Sequence, residues 1–456
     1  MDPARKRIWG WYFFDWASQP YSTLLLTFIF GPYFAEVARG YFMGAGLDTE
    51  RAAAEAQSFW GWGLMAASLL IALLAPVLGA VADSTGRRLV WIWAFSICYV
   101  VGATALWWVA PGGGIGLLWW AVFFFGLGFV GMEFATIFTN ALMPSLCSYD
   151  EMGEVSGTGF AFGYLGGLAA MAFMLLFLAE GADGSTTLLG QTPLFGLDPE
   201  AREGTRAVGP FTAIWYVVFM IPFFLWVKEP RGTGSRLSFL RSLGQLKALL
   251  VSLRRRGSLS AYLLSSLFYR DALNALYAFG GVYASGVLNW SILKIGVFGL
   301  IGAIAAVLAS WIGGKIDRNL GPKPVIVFSL AILTLVCVIL VGMSRDGIWG
   351  IAFSPASNAP DIIFFICGGV IGAAGGSLQA SSRTLMVRHT DDADATKAFS
   401  LYALSGKVTS FIGPALIAMA TDMSNSQQLG ISPLILLFLL GLFLLLWVHP
   451  QGEQIR

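Results

Sequence analysis

Twelve stretches of this chain are each long and apolar enough to cross a lipid bilayer as a helix, and that single feature removes most folds from consideration. Hydrocarbon offers no partner for open backbone N–H and C=O groups, so a spanning segment must satisfy them internally. About 20 apolar residues wound as a helix cover a core about 30 Å thick. The stretches fall at 9–34, 58–81, 89–110, 117–142, 155–179, 210–228, 259–285, 292–314, 323–343, 361–387, 396–420 and 432–449. Hydrophobic residues make up 57% of the 456 and charged residues only 12%, a balance no soluble domain keeps. The longest polar break, 229–257, divides the spans six and six. The expectation is an all-α integral membrane protein with an N-terminal half 1–228, a connector 229–257 and a C-terminal half 258–456.

The placement of Lys and Arg orients such a chain. With both termini in the cytoplasm, nineteen of the 28 cations fall in cytoplasmic segments and five on the opposite side, against the dissent of one acidic loop, "SYDEMGE". The connector "SFLRSLGQLKALLVSLRRRG" has helical periodicity with cations on one side, which suits anionic headgroups and serves equally as a plain topology determinant. Arg5, Lys6 and Arg7 precede the first apolar run with no small-residue cleavage site after them, so that run is expected to stay as a helix. A net charge of +2 leaves no footprint for nucleic acid. Cys98, Cys147, Cys337 and Cys367 lack ligand spacing, so no disulfide, metal or cofactor is expected. There is no G-x-x-x-x-G-K-[ST] loop, which argues against transport driven directly by ATP.

The two halves carry matching motifs. "GAVADSTGRRL" (79–89) joins spans two and three, and "GGKIDRNLGPK" (313–323) joins spans eight and nine. The candidates here are Gly79, Asp83, Gly86, Arg87 and Arg88 in the first copy and Asp317 and Arg318 in the second. Ser84 stands after the first aspartate, and Leu320 lengthens the second copy by one residue. In addition "FFDWASQPY" (13–21) aligns with "YRDALNALY" (269–277) at an offset of 256, matching Asp15 to Asp271 and Tyr21 to Tyr277. The loop is similar to the signature of the major facilitator superfamily, and the chain resembles that family throughout. Within it, "WYFFDWASQPYSTLLLTFIFGPYF", "TNALMPSLCSYDEMGEVSGTGFAFGYLGG", "LFYRDALNALYAFGGVYA" and "QASSRTLMVRHTDDADATKAFSLYALSGKVTSFIGP" resemble the vacuole-effluxer-like group, which includes the autophagy-related vacuolar amino-acid effluxers and bacterial relatives. The resemblance implies the twelve-helix major facilitator fold, a gate-latching role for the signature loop, and efflux of small solutes, amino acids being the best-known case.

A charge at the bilayer centre costs at least about 2.5–3.5 kcal/mol, so intramembrane charges face a cavity or a partner. Asp15, Glu133, Arg270, Asp271, Arg383 and Lys407 are the charged candidates for substrate or proton coupling. Each has a plainer reading: Asp15 as a packing ion pair, Glu133 as a hydrogen-bonded acid that never titrates, Arg383 as a snorkelling cation. Arg270 and Asp271 point about 100° apart on one helix, so one can pair with a neighbouring helix while the other faces a cavity. Gln19, Asn140, Asn274 and Gln379 are neutral candidates, and Pro20 frees the carbonyl of Trp16 beside Asp15. Runs such as "GTGFAFGYLGG" read as close helix approach or hinges.

The expected function is secondary or facilitated transport by alternating access. Its partners would be a small polar substrate, amino acids first, with protons and membrane lipids. A monomer in a bacterial inner membrane is expected, and not an enzyme. A multidrug, sugar or peptide carrier is the alternative within the fold, and a transporter-derived sensor the alternative outside it.

Overall fold

The computed structural model describes residues 2–85, 87–142, 146, 152–181, 184–228, 256–354, 357–389, 406 and 409–452. Ten helices within these residues are long and apolar enough to cross a membrane, from Ala4–Gly44 to Gln427–Trp447. The seventh expected span is also a helix, Gly257–Leu288, 32 residues long, with Arg270 and Asp271 interrupting its apolar run. Much of the eleventh lies outside the described residues, which resume as a helix at Ile412–Ser424. Large apolar side chains such as Leu73, Phe123 and Phe328 are exposed, as an integral membrane protein presents them to acyl chains.

The helices are α1 (Pro3–Pro20), α2 (Phe30–Gly44), α3 (Thr49–Thr85), α4 (Arg88–Ala105), α5 (Ile115–Leu142), α6 (Met152–Phe173), the short α7 (Glu203–Arg206) and α8 (Val208–Trp226). They continue with α9 (Gly257–Leu288), α10 (Ile292–Leu320), α11 (Pro322–Val341), α12 (Ala359–Arg388), α13 (Ile412–Ser424), the short α14 (Gln427–Gly430) and α15 (Pro433–Leu444). Local chemistry sets several ends. Asp2 caps α1 by accepting from Ala4 N, with Pro3 in the first turn. Asn289 takes the left-handed conformation (φ 54°) that closes α9. Between α10 and α11, Gly321 (φ 85°) makes a turn that Pro322 follows as the first helical residue. A small hairpin, β1 (Gly347–Ile348) on β2 (Ile351–Ala352), pairs Gly347 with Ala352.

The chain forms two compact units. The first comprises Met1–Ala45, Ala66–Gln245 and Trp290–Gly296, and the second Gly46–Met65, Leu246–Asn289 and Val297–Arg456. In the first, α4 and α5 meet backbone to backbone: a Cβ on Gly102 would stand 2.4 Å from Gly128 N, and one on Gly131 2.6 Å from Tyr99 N. In the second, Gly368, Gly372 and Gly376 recur every four residues along α12 and seat α10. A Cβ on Gly372 would lie 2.1 Å from Gly302 O, and one on Gly376 2.6 Å from Ala306 O. Small residues in such rows let helices pack closely where no hydrophobic effect drives them together. The second unit also holds the start of α3, where Gln57 Nε2 donates to Thr421 Oγ1 at 2.9 Å and Trp62 Nε1 to Asp422 Oδ2 at 2.8 Å.

Candidate functional site: two carboxylate seams

Four glycines of α6 form a track for α1. A Cβ on Gly159 would fall 2.8 Å from Asp15 Oδ2, on Gly163 3.1 Å from Asp15 Cβ, on Gly166 2.7 Å from Trp16 O, and on Gly167 2.8 Å from Gln19 Cγ. The run read as close helix approach is therefore the bed on which the half-buried Asp15 and Gln19 lie. Pro20 has no N–H for Trp16 O, and the indole Nε1 of Trp215 on α8 supplies the missing donor at 3.2 Å. Beyond Pro20 the helix loosens into a π-helical stretch, Tyr21–Phe28. Two further bonds hold this span to α5: Trp11 Nε1 to Thr139 O at 3.0 Å and Tyr21 OH to Phe125 O at 2.6 Å.

The second unit repeats the arrangement between α9 and α13. A Cβ on Gly413 would meet Ala275 Cβ at 2.8 Å and Asp271 O at 3.1 Å. Four residues before this seam glycine stands Thr409, whose hydroxyl hydrogen-bonds the Asp271 carboxylate. In the first seam the same step back from Gly163 reaches Gly159, also against the carboxylate. Asp271 is only 3% exposed, and its Oδ2 is buried with no hydrogen-bond partner among the described residues. Gly406 faces the neighbouring cation, since a Cβ there would stand 2.6 Å from Arg270 Cζ. Asp271 thus offers an acceptor beside a satisfied hydroxyl and a guanidinium, a set suited to receiving a proton or a donor group of a polar solute.

The other candidates are more scattered. Glu133 is buried within α5, while Asn140 at its end is exposed. Asn274 is exposed on α9, and on α12 Gln379 is half-buried and Arg383 exposed one turn on. Lys407 and Gly86 lie outside the described residues. Gly79, Asp83 and Arg318 are placed by their backbones alone, in α3 and α10; Arg87 is exposed, and Arg88 begins α4. In the second signature loop Asp317 reaches the side of α12, accepting from Ser381 Oγ at 2.9 Å and from Thr384, with Arg388 nearby. It lies beyond the span Ile292–Ser310. Burial pushes its carboxyl above the usual range, opposed by those two hydroxyls and by Arg388.

Sequence reasoning missed the polar knot at the opposite end of the first unit from Asp2 and Arg87. Glu180, fully buried, accepts from Gly204 N at 2.7 Å and Thr205 N at 2.9 Å, where α7 begins. Arg202 lies 3.7 Å from Glu180 Oε2 and bonds Glu36 on α2 at 2.8 Å and 3.3 Å. Its cation also sits 5.8 Å from the Tyr33 ring centroid. The sole signal was an acid directly after span five, and with Arg202 and Glu36 166 residues apart in the chain, no local pattern announces the pairing.

The chain matches the family described as "Vacuole effluxer Atg22 like" over residues 3–453. It is 25% identical to the uncharacterized MFS-type transporter YxiO of Bacillus subtilis over 454 residues, 97% of this chain and 94% of that one. It is 22% identical to autophagy-related protein 22 of Cryptococcus neoformans over 287 residues, 61% of this chain and 47% of the fungal protein, so the match spans about half of that relative. Among solved structures, the D-xylose-proton symporter superposes with a TM-score of 0.67 at 14% identity, covering 99% of both chains. That likeness shows the major facilitator fold, and the family match decides the assignment: the chain is an MFS-type transporter of the Atg22-like vacuole effluxer family.

Proposed function

We propose that this transporter moves a small polar solute, an amino acid first, by alternating access, with protons as the coupling ion and Asp15 and Asp271 as the coupling carboxylates. The observation that carries the reading is Asp271: buried, held on one oxygen by Thr409, and without a partner among the described residues on the other. A buried acceptor without a partner costs about 1–3 kcal/mol. Retaining one in a membrane helix is reasonable where a proton or a substrate donor fills it during the cycle. Arg270 beside it suits the carboxylate of a zwitterion, since a guanidinium binds carboxylates through paired N–H groups. The lysine and arginine bias supports cytoplasmic termini, and the match to a Bacillus subtilis relative over 97% of this chain supports a bacterial cell membrane.

The test is solute movement in proteoliposomes under an imposed pH gradient, read with amino acids, peptides and sugars in parallel. Asp271→Asn is expected to abolish movement driven by the gradient while leaving solute exchange, the pattern of a lost proton step. Gradient-driven transport that survives Asp15→Asn and Asp271→Asn at wild-type rate overturns the carboxylate assignment. Transport of sugars alone replaces the amino-acid reading.

A further inference from the structure

The two helices that hold Asp15 share a feature that those holding Asp271 lack. Beyond the glycine track, α1 runs into the π-helical stretch Tyr21–Phe28 and α6 into another, Met174–Leu178. The wider turns show in Ile29 N bonding Leu24 O at 3.0 Å and Ala179 N bonding Met174 O at 2.7 Å, each five residues back. No other π-helix occurs among the described residues. The positions of α9 that match Tyr21–Phe28, 277–284, are ordinary α-helix. The π-turn closes on i→i+5 bonds, is rare, and recurs at functional sites and helix kinks.

Both stretches have fixed structure on either side. Toward Asp15 the track joins α1 to α6, and it reaches into the first stretch, where a Cβ on Gly167 would stand 2.7 Å from Thr23 Oγ1. On the other side, Arg202 ties Glu36 of α2 to Glu180, which follows the second stretch by two residues. Glu180 is in turn anchored to the backbone at Gly204 and Thr205.

We propose that the first unit contains a paired hinge: Tyr21–Phe28 and Met174–Leu178 flex together, so that the Asp15 ends of α1 and α6 move as one body about far ends pinned by Arg202 between Glu36 and Glu180. Making or breaking i→i+5 bonds in the two stretches bends each helix there, while the glycine track keeps α1 seated on α6. Arg202 is on this view a positioning residue, acting on Asp15 through the hinge. The value of the motion to transport rests on the coupling role proposed above; the hinge itself does not.

Spin-label distance measurements on the full chain in lipid nanodiscs, with the native cysteines replaced, test the two claims separately. Labels at Arg5 and Met43 straddle the first stretch, labels at Arg5 and Phe160 sit on the Asp15 ends of α1 and α6, and labels at Met43 and Glu200 sit at the pinned end. The straddling pair is expected to give a broad or two-peaked distribution that shifts with pH. The other two should be narrow, like a control pair at Leu264 and Val287 on α9. A straddling pair as narrow as the α9 control at every pH overturns the hinge, and a broad Arg5–Phe160 pair overturns its action as one body. Arg202→Met is expected to broaden the Met43–Glu200 pair and displace the pH profile of transport, with Arg202→Lys restoring both in part. An unchanged Met43–Glu200 pair in Arg202→Met rejects the pin. Absence of gradient-driven transport in the unsubstituted protein refutes the coupling role and leaves the distance result standing.

Discussion

Asp15 and Asp271 occupy matching places in the chain, and each lies where the first helix of its set crosses a glycine of the fifth, yet the two surroundings differ in construction. Around Asp271 the position four residues before the seam glycine carries a hydroxyl that grips the carboxylate, and α9 runs unbroken for 32 residues. Around Asp15 that position is Gly159, which has no hydroxyl to supply the grip, and a proline five residues on, followed by π-turns, interrupts the span. The same acid is thus held by a specific bond on an unbroken helix in one seam, and without that bond beside a π-helical segment in the other. The difference suggests a division of labour in which one carboxylate stays in register while the other is repositioned.

The most damaging way to probe the contrast is to add a methyl group to each track. In Gly166→Ala the new Cβ would stand 2.7 Å from Trp16 O and 3.0 Å from Trp16 Cα, backbone atoms that cannot swing aside. In Gly413→Ala the nearest atom is a side-chain Cβ at 2.8 Å, with Asp271 O at 3.1 Å. Overpacking costs about 1–3 kcal/mol. Both variants should lower the melting temperature in detergent, Gly166→Ala by more. Gly280→Ala, whose Cβ would meet nothing within 4 Å, should leave it unchanged. Equal losses at the two seam positions would contradict the tighter first track.

A smaller effect tests the grip itself. Thr409→Val keeps the shape of the side chain and removes the hydroxyl that bonds Asp271. Loss of a hydrogen bond to a buried carboxylate costs about 1.5–3 kcal/mol when the acid is ionised and about 1 kcal/mol when it is neutral. The variant should therefore lose more stability at high pH than at low pH, and its transport should show a displaced pH profile that Thr409→Ser corrects. A uniform loss across pH would mean that Asp271 does not change protonation in the accessible range.

These comparisons also show how far sequence reasoning reaches. Apolar runs of membrane length predict the helices because lipid enforces internal hydrogen bonding, and the matched "FFDWASQPY" and "YRDALNALY" stretches point to two equivalent carboxylates. Four closely spaced glycines announced a tight helix pair, but not which helix they seat, since that depends on partners about 150 residues away. Pro20 announced a freed carbonyl on Trp16 without naming Trp215, 199 residues from Trp16, as its donor. The Glu36–Arg202–Glu180 knot was illegible for the same reason: charged residues in loops look alike until tertiary structure pairs them. Nor does composition distinguish a π-turn from an α-turn, because both are apolar and helical.

The smallest expected effect concerns that indole. Trp215 Nε1 occupies the place that a backbone N–H at position 20 would fill in an ordinary helix, so the two donors are alternatives for one acceptor. Trp215→Phe alone leaves Trp16 O without its donor and should cost about 0.5–1.5 kcal/mol, read as a modest fall in melting temperature. Pro20→Ala restores an N–H at position 20 and with it the prospect of a normal α-turn. In that background Trp215→Phe should cost less, and the double-mutant cycle should show a coupling of about 0.5–1 kcal/mol. Pro20→Ala should also narrow the Arg5–Met43 distribution by favouring α-turns over π-turns. Strict additivity of the two substitutions would mean that the carbonyl finds another donor when Trp215 is removed. In that case the proline would not be what separates the π-helical seam from the α-helical one, and the cause would have to lie in the glycine track.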